Sequence, residues 1–264
     1  MSLTTYEVEP GVIRLRMSGW RGRAVGYEVN AYLLGGVLVD SGFPGVQRAL
    51  LDAVRTLAPR GAVITHWHED HGGNAPALAR LGVPLLMHPD CEVVLRARPH
   101  IRAYRRVVWG RTERLREGLA AFDAAPLEIV ATPGHTGDHL VVWDAERRIV
   151  ASGDLFLGVK VRVAHALESP SLLVQSLRTV ASLEPRILLD AHRGVVENAT
   201  SMLRAKVAWL EDMMGEVHAF AAMGCSERVI QHRVLGREPL VGLASLGEYS
   251  KLSLVRAILR EGEG

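Results

Sequence analysis

The sequence predicts an α/β fold followed by a helical tail, and three observations carry that reading. Short apolar runs alternate with glycine-marked turns over the first half, segments of helical periodicity fall between them, and beyond His192 the pattern turns helical. A chain of 264 residues with 48% hydrophobic content is enough for one large domain with at most a small appendage.

In order, Gly11 to Met17, Val29 to Leu34 and Val37 to Asp40 read as strands joined by tight connections. Pro44 to Leu57 places Val46, Leu50, Leu51, Val54 and Leu57 on one helix face. Ala62 to Thr65 returns to strand, Asn74 to Leu81 to helix, and Pro84 to Met87 to strand. Leu127 to Ala131, Leu140 to Trp143 and Ile149 to Ser152 continue the strand series. Ser171 to Leu183 is helical with a Ser cap, and Ile187 to Asp190 is a last strand. Asn198 to Met223, Ser226 to Leu235 and Ser250 to Leu259 then read as helices, the first two ending at Gly224 and Gly236. The expected division is a mixed domain over residues 1–195 and a helical extension over residues 196–264.

Composition narrows the class. No apolar run approaches the ~20 residues that span a bilayer, and no basic, apolar and small-residue progression marks a secretory signal, so a cytoplasmic location with no membrane partner is expected. Cys91 and Cys225 lie far apart, which fits a reduced compartment better than a disulfide framework. A net charge of +2 argues against a nucleic-acid partner. Of the 31 basic residues, all but Lys160, Lys206 and Lys251 are arginines. The Met1-Ser2-Leu3 start and the Glu263-Gly264 end are set aside.

The chemistry is concentrated in Thr65-His66-Trp67-His68-Glu69-Asp70-His71-Gly72-Gly73-Asn74. Four ligand-type side chains fall on a loop just after the apolar run Ala62-Val63-Ile64, where they can converge on one point. Neutral imidazole and carboxylate suit zinc, iron or manganese, and the lack of thiolate argues against a structural Cys-rich zinc site. Alternation would send His66 and His68 to the same side. The Gly72-Gly73 pair lets the backbone turn, so that Asp70 and His71 approach from another angle and serve a second ion. Three further stretches set ligand types at strand ends: Thr132-Pro133-Gly134-His135-Thr136-Gly137-Asp138-His139, Ser152-Gly153-Asp154 and Asp190-Ala191-His192-Arg193-Gly194.

Over residues 12–194 the order of these motifs resembles the metallo-β-lactamase superfamily, in particular its glyoxalase II-like hydrolase branch. The resemblance implies an αββα sandwich with both sheets ending at a shared metal edge, and C-terminal helices that cover that edge. It implies that His66, His68 and His135 hold one ion, that Asp70, His71 and His192 hold the other, and that Asp154 bridges them. Asp40, in Val39-Asp40-Ser41-Gly42, matches a family aspartate that orients a metal-bound histidine; a plain turn aspartate would look the same. Asp138 and His139 read as supporting polar residues. True zinc β-lactamases put a Cys, a Ser or no ligand where Asp154 stands, which argues against penicillin-type substrates.

Two divalent ions ~3.5–4 Å apart, zinc first with iron or manganese as alternatives, would make hydroxide available near neutral pH and polarise a carbonyl. Asp70 and Asp154 are the expected catalytic residues: both orient the hydroxide, and Asp70 moves its proton. The expected reaction is hydrolysis of an ester, thioester, lactone or related bond in a small molecule, with an anionic substrate as one alternative. Two alternatives use the same scaffold: an iron-dependent sulfur (persulfide) dioxygenase and a metal-dependent nuclease.

Substrate choice is less legible. Leu157-Gly158-Val159-Lys160-Val161-Arg162-Val163 replaces the Gly-Cys-Gly-basic-aromatic stretch of hydroxyacylglutathione hydrolases, and Leu157 stands where homoserine-lactone hydrolases carry a Tyr. Residues 96–116 hold eight arginines, expected as a solvated helix face, with anion or RNA binding as the alternative reading. Ser250, between Tyr249 and Lys251, reads as a helix cap in preference to a substrate contact. Oligomeric state leaves no sequence signal.

Overall fold

Period-two alternation decides where each strand sends its side chains. A computed structural model describes residues 1–19, 28–99, 101–239, 242 and 245–262. Strands β1 (Ser2–Glu9), β2 (Val12–Ser18), β3 (Val29–Leu34), β4 (Val37–Val39), β5 (Gly61–Ile64) and β6 (Leu85–Met87) pair in that order, antiparallel up to β4 and parallel from β4 to β6. A second sheet has the order β12 (Gly194–Glu197), β11 (Ile187–Asp190), β9 (Ile149–Gly153), β8 (Leu140–Asp144) and β7 (Glu128–Ala131), with β11 and β9 parallel.

The two sheets share one core. Val12, Tyr32, Leu34, Val37, Val39 and Val63 of the first meet Leu140, Val142, Ile149, Ala151 and Leu189 of the second. Residues of opposite parity, Leu15, Met17, Ala31, Leu38, Ala62 and Ile64, turn outward. They pack against Leu50 and Val54 of α1 (Gln47–Leu57), Leu78 of α2 (Ala75–Arg80) and Leu95 of α3 (Pro89–Ala97). Covering on both faces is why these strands read as nearly unbroken apolar runs. Helix α4 (Ala103–Trp109) follows.

The chain divides into two units, and both sheets belong to the first, made of Met1–Ala131, Asp138–Asp154 and Pro185–Glu197. The second unit comprises Thr132–Gly137, Leu155–Glu184 and Asn198–Gly264, so residues 132–137 and 155–184 group with the C-terminal helices. In it α5 (Pro170–Ser182) packs on α6 (Ala199–Ala222), with α7 (Glu227–Ile230) and α8 (Lys251–Glu261) against α6, and β10 (Ala164–His165) pairs antiparallel with β13 (Tyr249–Ser250). Ser250 caps α8, its Oγ accepting from Ser253 N at 2.9 Å, which agrees with the capping reading.

The α/β class and the expected strands and helices are present, with some corrections. The cap of α5 is Ser169, whose Oγ accepts from Leu172 N at 3.3 Å, because Pro170 takes the first helical position and moves the start two residues earlier. The set-aside start contributes Ser2 and Leu3 to β1, opposite Ser18 and Met17. Glu263 and Gly264 lie outside the described residues. Strands β1, β10, β12 and β13 and helix α3 had no sequence signal strong enough to predict them. No helix among the described residues is long and apolar enough to cross a membrane.

Candidate metal centre

The parallel strands β4, β5, β9 and β11 bring their C-terminal ends to one edge of the first unit, and each is followed by a loop bearing a ligand-type or orienting residue. Asp40 follows β4, His66 to His71 follow β5, Asp154 follows β9 and His192 follows β11. Backbone bonds lock the loops together: Asp40 N donates to Val63 O at 2.8 Å, Ser41 N to His71 O at 2.8 Å, and Leu140 N to Thr65 O at 2.9 Å. Gly153 is required here, because its φ is +49° and a Cβ would stand 2.8 Å from both His139 Nε2 and Thr65 Oγ1.

Six of the residues expected as ligands converge within this unit. The ligand atoms of His66, His68 and Asp154 lie within 4.8 Å of one another, and so do those of Asp70, His71 and His192. All are buried except the part-buried His192. His66 Nε2 is 3.0 Å from His68 Nδ1, so these two rings share a side as alternation predicts. Asp154 Oδ1 is 3.2 Å from His71 Nε2 and 3.1 Å from His192 Nε2, while its Oδ2 is 4.0 Å from His66 Nε2. The Asp154 carboxylate therefore faces both groups. His135 belongs to the second unit, in the loop Thr132–Gly137, and is buried with its Nδ1 3.4 Å from Glu168 Oε1.

Outer partners aim these rings. His71 Nδ1 lies 2.7 Å from Asp40 Oδ2, and Asp40 also accepts from Thr65 N at 2.8 Å and Thr65 Oγ1 at 3.0 Å. The φ of Asp40 is +66°, a conformation that Asp tolerates better than most residues. His192 Nδ1 donates to the Glu28 carbonyl at 2.8 Å, which leaves Nε2 to face Asp154. Of the two supporting residues, His139 accepts from Asp154 N at 3.1 Å and Asp138 Oδ2 accepts from Trp67 N at 2.9 Å.

Electrostatics express the crowding. Burial alone would raise the Asp154 carboxyl, but His71 and His192 outweigh it and hold the group well below the usual carboxylate range. Burial likewise opposes charge on His192, yet Asp154 raises it to about 9, and Asp154 with Asp40 raises His71 well above the ordinary imidazole value. Imidazoles held this close to carboxylates, buried and aimed at one locus, form the donor set that a divalent cation with nitrogen and oxygen preference fits.

Sequence reasoning missed three contributors. Asn74 Nδ2 donates to Ser41 O at 2.8 Å and Phe43 O at 2.9 Å, and Ser41 Oγ donates to His71 O at 2.6 Å, so the Asp40 turn and the ligand loop form one network. The eight arginines of residues 96–116 are expected on one solvated helix face, but only Arg96, Arg105 and Arg106 lie within helices, and Arg105 is 4% exposed and pairs with Glu69, between His68 and Asp70. Burial pushes Glu69 up to about 7 against the pull of Arg105. Asn74 directly after the glycine pair was the available signal; Arg105 had none to separate it from its neighbours.

Known proteins resemble this chain. A β-lactamase-like protein 2 homolog of Caenorhabditis elegans is 30% identical over 64% of this chain and 57% of its own, and an atrochrysone carboxyl ACP thioesterase of Aspergillus fumigatus is 29% identical over 76% and 61%. The chain thus spans less than two thirds of the length of either relative. A crystal structure of a metallo-β-lactamase family protein from Thermus thermophilus has the same fold, with a TM-score of 0.67 and 18% identity over 97% of this chain and 95% of that one. The family model described as "Metallo-beta-lactamase superfamily" matches residues 24–208, and with the convergent His and Asp side chains at one sheet edge this chain belongs to that superfamily.

Proposed function

We propose that the protein is a metal-dependent hydrolase of small molecules whose favoured substrate class is an acyl thioester, with esters and lactones as related bonds. The observation that carries the reading is the convergence of His66, His68 and Asp154 with Asp70, His71 and His192. His135 is proposed as the seventh ligand. The thioester preference is supported by the relative named as an ACP thioesterase, and Asp154, a carboxylate where penicillin-cleaving zinc enzymes carry a Cys, a Ser or no ligand, supports a glyoxalase II-like placement over a penicillin-cleaving one.

Zinc is the proposed metal, two ions per chain, since three imidazoles and carboxylate satisfy it without a thiolate. When bound, such ions supply Lewis acidity and lower the pKa of water toward neutrality. The protein's own part is positional. Asp40 and the Glu28 carbonyl fix which nitrogens of His71 and His192 face inward. His139 accepts from the Asp154 backbone N–H; the roles proposed for the Asp154 and Asp70 carboxylates are to orient the attacking water, with Asp70 accepting its proton. In this proposal residues 1–195 carry the chemistry and residues 196–264 form a helical extension.

The test is metal analysis of the purified protein with a panel of acyl thioesters, esters, lactones and penicillins. The expected result is about two zinc ions per chain, thioester hydrolysis that stops on chelation and returns with Zn²⁺, and near-complete loss in His68→Ala. Hydrolysis that survives both chelation and His68→Ala would overturn the reading.

A further inference from the structure

Glu69 stands in the chain between His68 and Asp70, yet its carboxylate is wholly buried and held by Arg105. Arg105 Nη2 donates to Glu69 Oε2 at 2.6 Å, and Nε donates to Oε1. A forked pair of this kind fixes direction as well as distance, which a single ammonium cannot do. Net stability is a poor account of it, because removing two charges from water offsets most of their attraction. The pair instead has leverage on the ligand loop.

The helix that carries Arg105 is itself tied down near the site. Trp109, at the other end of α4, packs against Phe43 with ring centroids 5.1 Å apart. Phe43 closes the turn after Asp40, and its carbonyl accepts from Asn74 Nδ2 at 2.9 Å. The helix thus touches the Asp40 turn through Trp109 and the ligand loop through Arg105.

We propose that Arg105 is a positioning residue for the metal centre: through Glu69 it holds the His66 to His71 loop at the angles in which His68 and Asp70 face their ions. The inference rests on the metal-centre reading and adds a residue outside the ligand set, 36 positions from Glu69.

The test compares wild type with R105M, R105K, E69Q and E69Q/R105M. Zn²⁺ affinity is measured by chelator competition, the visible spectrum by Co²⁺ loading, and the thermal transition on the metal-free protein. R105M is expected to bind metal about 10- to 100-fold more weakly, with an altered Co²⁺ spectrum and a still cooperative transition. R105K, which keeps the charge without the fork, falls between. E69Q/R105M recovers part of the loss because the unpaired buried carboxylate is gone.

Wild-type affinity and an unchanged spectrum in both R105M and E69Q, with only a lowered transition, would make the pair purely structural and overturn this inference alone. A wild type that takes up no Zn²⁺ would overturn the metal-centre reading and the inference with it. If R105M yields no folded protein, E69Q carries the same test, since its amide keeps one acceptor for the guanidinium but sets an NH2 against the second arm of the fork.

Discussion

Asp40 Oδ2 lies 2.7 Å from His71 Nδ1, so one buried carboxylate decides which nitrogen of that imidazole faces the other ligands. The same carboxylate accepts from Thr65 N and Thr65 Oγ1, coupling the start of the ligand loop to the ring at its end. In Asp40→Asn an amide must replace an acceptor-only group, and it cannot serve both Thr65 bonds and a protonated Nδ1. The expected outcome is a folded protein whose metal affinity at the Asp70, His71 and His192 group drops about 10- to 100-fold in chelator competition. Unchanged affinity would mean that the aspartate serves only the turn.

A pH signature follows from the charges that Asp154 gathers. His192 is raised to about 9 from the ordinary 6.5, and His71 is raised in the same direction, while Asp154 is lowered from 3.8. A raised imidazole stabilises the fold fully below its unfolded value, and that contribution is lost as pH climbs through the folded value. The lowered carboxylate contributes above its unfolded value and loses its contribution as pH falls. The Tm of the metal-free protein should therefore decline from pH 6.5 to about 9. The Zn²⁺-loaded protein, whose ligands have already released their protons, should not share that decline. Parallel Tm profiles with and without chelator would contradict this.

Most of the fold and most of the convergent His and Asp cluster were legible because both rest on local pattern. Strands covered on two faces announce themselves as apolar runs, as in Ala62 to Ile64, and the clustered His and Asp residues follow those runs directly. What stayed hidden depends on contacts far apart in the chain. Strand β1 alternates only weakly because residues 4–7 are exposed, so it is fixed by its pairing with β2. Arg105 is one arginine among eight in residues 96–116, and only the buried Glu69 opposite distinguishes it from its solvated neighbours. The second unit draws in residues 132–137 and 155–184, and no composition change marks where those segments begin.

Gly73 permits a close approach that the ligand loop depends on. A Cβ there would stand 2.0 Å from the Glu69 carbonyl oxygen and 2.7 Å from Pro44 Cδ. Gly73→Ala must therefore push the loop away from the turn after Asp40, at a cost of about 1–3 kcal/mol and with lowered metal content. Gly72→Ala is the control, since its nearest new contacts lie at 3.4 Å. Thermal melts and metal analysis of both should separate them, and equal behaviour would remove the steric explanation.

Lys206 is the least expected buried charge, 2% exposed on α6 beside Leu203, Val207 and Leu210. Its Nζ donates to Leu155 O at 3.2 Å and to Phe156 O, the carbonyls of the two residues that follow Asp154 in the chain. Helical periodicity alone would give this position to an aliphatic side chain, and Lys206→Met supplies one of similar length. The substitution removes the donor from two carbonyls, and an unsatisfied buried acceptor costs about 1–3 kcal/mol. The hydrophobic gain from Met is smaller, because the lysine stem already packs along the same apolar surface. Lys206→Met should therefore lower the urea midpoint at unchanged m-value, by about 1–3 kcal/mol in total. A midpoint equal to or above wild type would show that water or a neighbouring donor satisfies those carbonyls equally well.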